Sequence, residues 1–187
     1  MPFLETDIPG LLIFQPQIFE DARGYFFESY NKNIFFSAGV TQNWVQDNQS
    51  SSSFGVIRGL HFQLPPKAQA KLVRVLEGSI NDVVVDIRKG SPAFGRSYAI
   101  TLSAENKLQL LIPKGFAHGF SVTTERAVVL YKCDELYDRS QERGLLYNDP
   151  ALKIDWQIPR DKVILSDKDK VNPALSDFDS PFIFGQD

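Results

Sequence analysis

The stretch GVIRGLHFQLPPKAQAKLVRVLEG, from Gly55 to Gly78, decides how this chain folds. Two apolar segments of strand length, VIRGLHFQ (Val56–Gln63) and KLVRVL (Lys71–Leu76), flank a Pro-Pro loop and are closed off by glycine. Alternation puts Lys71 on the same face as Val73 and Val75, so a lysine is expected to point inward with two valines. The same rule puts Arg58 and His61 on opposite faces unless Gly59 marks a bulge or twist. Outward from this stretch the pattern recurs. Strands are expected at Leu11–Phe19, Tyr25–Tyr30, Asn43–Asn48, Ile80–Arg88, Ser97–Ser103, Leu108–Pro113, His118–Thr124 and Ala127–Asp134, with turns at Glu77-Gly78-Ser79, Lys89-Gly90-Ser91-Pro92 and Lys114-Gly115. Many short strands at near-regular spacing mean an all-β sandwich, jelly roll or barrel. Helix is scarce: NKNIFFSAG predicts one short helix ending at Gly39, and the tail beyond Asp149 has room for one or two more.

With 187 residues the chain suits one domain. The expected division is a barrel core over about 10–135 and a C-terminal appendage over about 149–187. A formal net charge of −3 offers no general basic surface, so nucleic acid is not an expected partner. No segment approaches the ~20 apolar residues of a membrane span, and MPFLETDIPG lacks a basic-then-apolar leader. Cys133 is the single cysteine, which excludes an intrachain disulfide and suits a reducing compartment. A cytoplasmic location is expected.

The glycine frame resembles the metal-binding cupin pattern, Gly-x5-His-x-His-x3–4-Glu-x6-Gly followed by Gly-x5-Pro-x-Gly-x2-His-x3-Asn. That resemblance implies a cupin-type jelly-roll β-barrel. The ligands have changed, however. Gly55 and His61 match, but Gln63 stands for the second histidine and Lys71 for the glutamate. Pro113, Gly115 and His118 match in the second block, where Val122 replaces the polar fourth position. His61 and His118 are the only two histidines, and an ammonium at Lys71 would repel a cation, so no metal is expected. A cation inside a barrel is costly unless it meets negative charge, which an enolate would supply. Beside it, His61 is suited to take a proton from a carbon next to a ketone.

The segments DARGYFFESYN, VQDNQSSS, VIRGLHFQ, QAKLVRV, IPKGFAHGF, LYKCDELYDRSQERGLLYNDP and LSDKD, in this order, resemble the dTDP-4-dehydrorhamnose 3,5-epimerase family over nearly the whole chain. That resemblance implies a cofactor-independent epimerase that inverts C3 and C5 of a dTDP-4-keto-6-deoxyhexose in dTDP-L-rhamnose biosynthesis. It implies His61 as the base, Asp169 as its orienting carboxylate, Lys71 at the enolate oxygen and Tyr131 as the acid on the opposite face. Arg58 would lie near the sugar or pyrophosphate, and Arg23 and Lys168 would meet the pyrophosphate. Glu28, Gln46 and Asn48 would contact thymidine or sugar edges, Tyr137 and Phe19 would stack on the base, and His118 and Glu142 would line the pocket. The family also implies a homodimer with exchanged strands, for which the apolar LLIFQPQIF would supply an edge.

Gln49 and Ser51 replace a histidine and an arginine common in relatives, which removes positive charge expected near the nucleotide, and Phe62 replaces a tyrosine. Two other function classes stay open on the sequence. One is an epimerase acting at C3 or C5 alone, or a 3,4-ketoisomerase. The other is a sugar-binding cupin without turnover, against which the acid–base set argues; a metal-dependent oxygenase comes last, for want of ligands.

Overall fold

The computed structural model describes residues 2–186 as two antiparallel sheets facing each other. The first runs in the order β1 (Phe3–Glu5), β2 (Leu12–Phe14), β10 (Gln109–Ile112), β7 (Lys71–Glu77), β12 (Arg126–Cys133) and β5 (Gln46–Ser53). The second runs in the order β13 (Glu142–Gly144), β6 (Ile57–Gln63), β11 (Phe116–Val122), β8 (Ser79–Asp86) and β9 (Ser97–Ser103). A separate hairpin pairs β3 (Phe19–Asp21) with β4 (Gly24–Phe26). This is the strand-dominated, cupin-like architecture expected, with few and short helices.

The alternation read from the sequence builds the layer between the sheets. Val73 and Val75 of β7, Leu110 and Ile112 of β10 and Ala127 and Val129 of β12 meet Ile80, Val84, Phe116, Phe120 and Val122 from the other sheet. Leu72 points the other way, into an aromatic cluster with Phe14 and Phe35. Phe35 belongs to α1 (Lys32–Ser37), which starts where Asn31 Oδ1 accepts from the backbone N–H groups of Asn33 and Ile34. It stops before Gly39, whose φ of 82° few other residues adopt. β8 is buried along nearly its whole length because the chain after Asp149 covers its outer face. Leu152, Trp156 and Phe182 pack there against Val83 and Val85, which is why Val83, Val84 and Val85 follow one another without alternation.

Several expectations need correction. The segment Leu11–Phe19 is not one strand: Pro16 separates β2 from β3, and β2 is paired on both sides, by β1 and β10. Within this chain β2 is thus an inner strand, while Phe19, at the end of the same segment, lies in the two-stranded β3–β4 hairpin. The strand expected at Asn43–Asn48 starts later and runs through the serines to Ser53, because β12 pairs with it residue by residue. Tyr25–Tyr30 contributes strand only as far as Phe26. β1 and β13 went unread and lie outside the expected core of about 10–135. The tail carries three single 3-10 turns, Arg160–Lys162, Lys168–Lys170 and Leu175–Asp177.

Candidate active site

β6 and β11 set the first wall of the site. His61 pairs with His118 in register, but two residues further along the ladder is out of step, with Arg58 opposite Phe120. Gly59 and Leu60 thus face the single Gly119, and the bulge brings Arg58 and His61 onto one side. Gly59 is required there: a Cβ at this position would stand 2.4 Å from the Gly119 Cα, at a φ of 133°. The conflict between the two residues' faces is resolved by that bulge.

The opposite wall comes from the first sheet. Lys71 opens β7, and Tyr131 sits on β12 opposite Val73. Between the walls lies a cavity of about 410 Å³ lined by Arg58, His61, Lys71, His118, Tyr131 and Asp169, with Glu142 and Lys168 at its margin. A smaller recess of about 200 Å³ continues from it past Gln46, Asn48 and Tyr137.

His61 Nε2 stands 2.5 Å from Asp169 Oδ1, although the residues are 108 positions apart. The tail makes this approach possible. Ile164 exchanges backbone hydrogen bonds with Gly55 and Ile57 beside the start of β6, and the next turn delivers Asp169, itself held by the Ser166 carbonyl. Burial alone raises the Asp169 carboxyl, but the hydrogen bond and charge of His61, helped by Ser166 and Lys168, outweigh it and hold the group below the usual carboxylate range. An ionised Asp169 accepts from the His61 Nε2–H and leaves Nδ1 with a free lone pair.

Desolvation pushes the Lys71 ammonium down, opposed through space by Cys133, Asp82 and Glu142. Its nitrogen lies 5.9 Å from the centre of the Tyr131 ring. Burial pushes the Tyr131 hydroxyl up, so it stays protonated. Burial also raises Glu142, but Lys168, bonded to its Oε1 at 2.8 Å, and further His61 and Tyr137 bring it below the usual range. Arg58 is steadied by a 3.0 Å hydrogen bond from Nε to Ser52 Oγ. Among the described residues no group of three or more His, Cys, Asp or Glu is arranged to hold a metal ion.

Comparison with known proteins accounts for this arrangement. The model of the dTDP-4-dehydrorhamnose 3,5-epimerase family matches residues 5–177. The chain belongs to that epimerase family. A dTDP-4-dehydrorhamnose 3,5-epimerase of Shigella flexneri is 51% identical over 170 residues, covering 90% of this chain and 93% of the relative. The crystal structure of the epimerase from Elizabethkingia anophelis superposes with a TM-score of 0.90 at 49% identity, over 94% of this chain and 96% of that one. A Legionella pneumophila dTDP-6-deoxy-D-glucose-3,5-epimerase in complex with dTDP-4-keto-L-rhamnose gives a TM-score of 0.91 at 46% identity, over 95% and 94%.

Measured against the epimerase site expected from sequence, the fold gathers His61, Asp169, Lys71, Tyr131, Arg58, His118, Glu142 and Lys168 around the main cavity. Gln46, Asn48 and Tyr137 lie in the recess. Phe19 and Arg23 are elsewhere. They line a groove on the β3–β4 hairpin, where the exposed Arg23 is bonded to Asp21 at 2.5 Å. Glu28 borders another hollow beside α1. Gln49 and Ser51 sit on the outer face of β5, while Gln46, Asn48, Ser50 and Ser52 take the inner one. The lost positive charge therefore lies away from this chain's own cavity. Ser50, Phe120 and Ser166 also line the cavity and were not singled out. Nor was Asp82, whose carboxylate oxygens lie 3.0 and 3.1 Å from His118 Nε2. A carboxylate inside an apolar run was the available signal, because a buried charge needs a partner.

Proposed function

We propose that the chain inverts C3 and C5 of dTDP-4-dehydro-6-deoxy-D-glucose to give dTDP-4-dehydro-β-L-rhamnose, without a cofactor. The observation that carries the mechanism is that His61 stands on one sheet and Tyr131 and Lys71 on the facing sheet, with the cavity between them. His61 Nδ1 takes the proton from the carbon next to the C4 ketone, and the electron pair moves onto the carbonyl oxygen as an enolate. The Lys71 ammonium stabilises that oxygen. The Tyr131 hydroxyl then protonates the same carbon from the other side, which inverts it. His61 passes its proton to solvent and Tyr131 regains one before the second centre reacts. Asp169 keeps the imidazole in the tautomer that exposes Nδ1.

Arg58 and Lys168 suit the pyrophosphate, Gln46 and Asn48 the sugar or thymidine edges, and Tyr137 a stacked base. Phe19, Arg23 and Glu28 reach such a ligand if they are supplied by a second copy. The hairpin carries Phe19, Tyr25 and Phe26 exposed at 54%, 60% and 66%, an apolar surface suited to burial in a homodimer. That exposed surface supports an exchange through the hairpin, which includes Phe19 of the apolar segment. Among the described residues no helix is long and apolar enough to cross a membrane. The buried, unpaired Cys133 fits a reducing, cytoplasmic setting.

Proton NMR of the sugar nucleotide in D2O tests the chemistry. Deuterium should enter at both C3 and C5, and inversion should survive prolonged chelation. Exchange at one carbon only would indicate a single-site epimerase, and no exchange would leave a sugar-binding barrel. Tyr131→Phe retains the base, so deuterium should enter unepimerised sugar faster than inverted product forms. Wild-type inversion in that variant would remove Tyr131 as the acid.

A further inference from the structure

The recess beside the main cavity is floored by glutamines whose side chains are committed to one loop. Between β12 and β13 the segment Asp134–Asp138 carries Tyr137, and its backbone is gripped one group after another. Gln69 Nε2 donates to the Glu135 carbonyl at 2.7 Å, and Gln63 Nε2 donates to the Leu136 carbonyl at 3.2 Å. The Tyr137 N–H donates to Gln46 Oε1 at 2.9 Å, and the Asp138 N–H to Gln63 Oε1 at 2.6 Å. The second amide proton of Gln63 goes to the Lys67 carbonyl at 2.6 Å, which ties in the Pro-Pro loop as well. Gln63 is buried, at 4% exposure, with both donors occupied and its oxygen in use. It has no donor left to offer a substrate.

We infer that Gln63 is a positioning residue for the nucleotide: it latches the Asp134–Asp138 loop so that the Tyr137 ring, tied by its hydroxyl to Glu142 at 3.1 Å, is held ready for the base. The inference rests on the proposed stacking of Tyr137. It also explains what became of a position where the metal-binding pattern has histidine. An imidazole offers two ring nitrogens, whereas an amide reaches three backbone groups on two loops at once. The two other glutamines reinforce the grip from β5 and from the loop before β7, so Tyr137 loses little freedom when a ligand binds.

The test uses the full chain and dTDP alone as ligand, measured by calorimetry. Gln63→Met keeps the side-chain volume and removes all three hydrogen bonds. It should weaken dTDP binding on the order of tenfold, the size of losing one stacked base. KM for the sugar nucleotide should rise in parallel, while kcat falls much less, because His61, Lys71 and Tyr131 are untouched. Tyr137→Ala should cost a similar factor, and the double variant should bind no worse than Tyr137→Ala, since an absent ring cannot be misplaced. Losses that multiply in the double variant, or wild-type dTDP affinity in folded Gln63→Met, would overturn the inference. If Tyr137→Ala binds dTDP normally, it is the stacking that fails. The latch is then judged on amide exchange of ligand-free protein, where the Asp138 N–H must exchange at least about tenfold faster in Gln63→Met; an unchanged rate rejects it. Should Gln63→Met not fold, Gln63→Asn keeps a neutral amide that is one methylene too short to reach both loops at once, and should show a weaker form of the same pattern.

Discussion

His61 and His118 lie side by side in the second sheet, and each meets an aspartate in a contrasting way. His118 and Asp82 come from adjacent central strands, β11 and β8, and their side chains are 8% and 0% exposed. His61 is the direct cross-strand neighbour of His118, yet its partner Asp169 arrives from a single turn of the tail. The Asp169 side chain is only 3% exposed, while His61 keeps 23% of its surface open to the cavity. The sheet fixes one pair completely, and it fixes only half of the other. Rigid, closed pairing suits a wall; a base must keep one nitrogen free and the imidazole within reach of substrate and solvent.

The largest effect that would break this contrast is on turnover. His61→Asn should lower kcat by about 10³-fold or more, because no other group on that wall takes its proton. His118→Asn should cost about tenfold or less. Equal losses in steady-state rates would show that both imidazoles handle protons.

Exchanging the carboxylates should separate rate from stability. Asp169→Asn should cost about 10²–10³ in kcat, through loss of the tautomer that exposes Nδ1, while destabilising the fold less than the loss of the Asp82 charge does. Asp82→Asn should instead destabilise by about 3 kcal/mol in urea titrations, since it leaves a buried imidazole facing an amide. The contrast would collapse if Asp169→Asn proved the less stable variant and Asp82→Asn the slower one.

Acid titration sharpens the same point. The Asp169 carboxyl is held below its ordinary range, so its contribution to stability is present above the unfolded value, near ~3.9, and is lost as pH falls through the lower folded value. Urea midpoints should therefore fall more steeply with acid in the wild type than in Asp169→Asn. Parallel curves would mean that the pair adds nothing to stability.

The smallest effect concerns Lys71. Its ammonium is pushed down by desolvation, so activity should fail on the alkaline side before an ordinary lysine would deprotonate. Asp82 is one of the charges that hold Lys71 up. Asp82→Asn should move that alkaline limb to lower pH, and Lys71→Arg should abolish it in whatever activity remains. A limb unmoved in Asp82→Asn would disconnect the buried pair from Lys71.

The strands from β6 to β12 were legible because apolar alternation and glycine or proline turns coincide in them. β5 was half legible, since QSSSS has little strand preference of its own and is recruited by β12. β1 and β13 are three residues each, too short to show a period. In the site, Lys71 could be placed from alternation and His61 from its glycine frame. The joint use of Arg58 and His61 needed the bulge, which the sequence marked only by Gly59. Asp169 lies in a polar run that by itself reads as solvated surface, and only the family resemblance connected it to His61. Gln63 was noticed as a missing ligand, while its grip on a distant loop became visible only in three dimensions.

The tail that carries Asp169 also sets an order in time. The base emerges from the ribosome 108 residues ahead of its carboxylate. At ~5–20 residues per second that is a delay of about 5–20 s, long enough for most strands of both sheets to be made and to begin pairing. During that interval the growing chain holds His61 without the group that sets its tautomer. Catalytic competence thus waits until the tail docks beside β6.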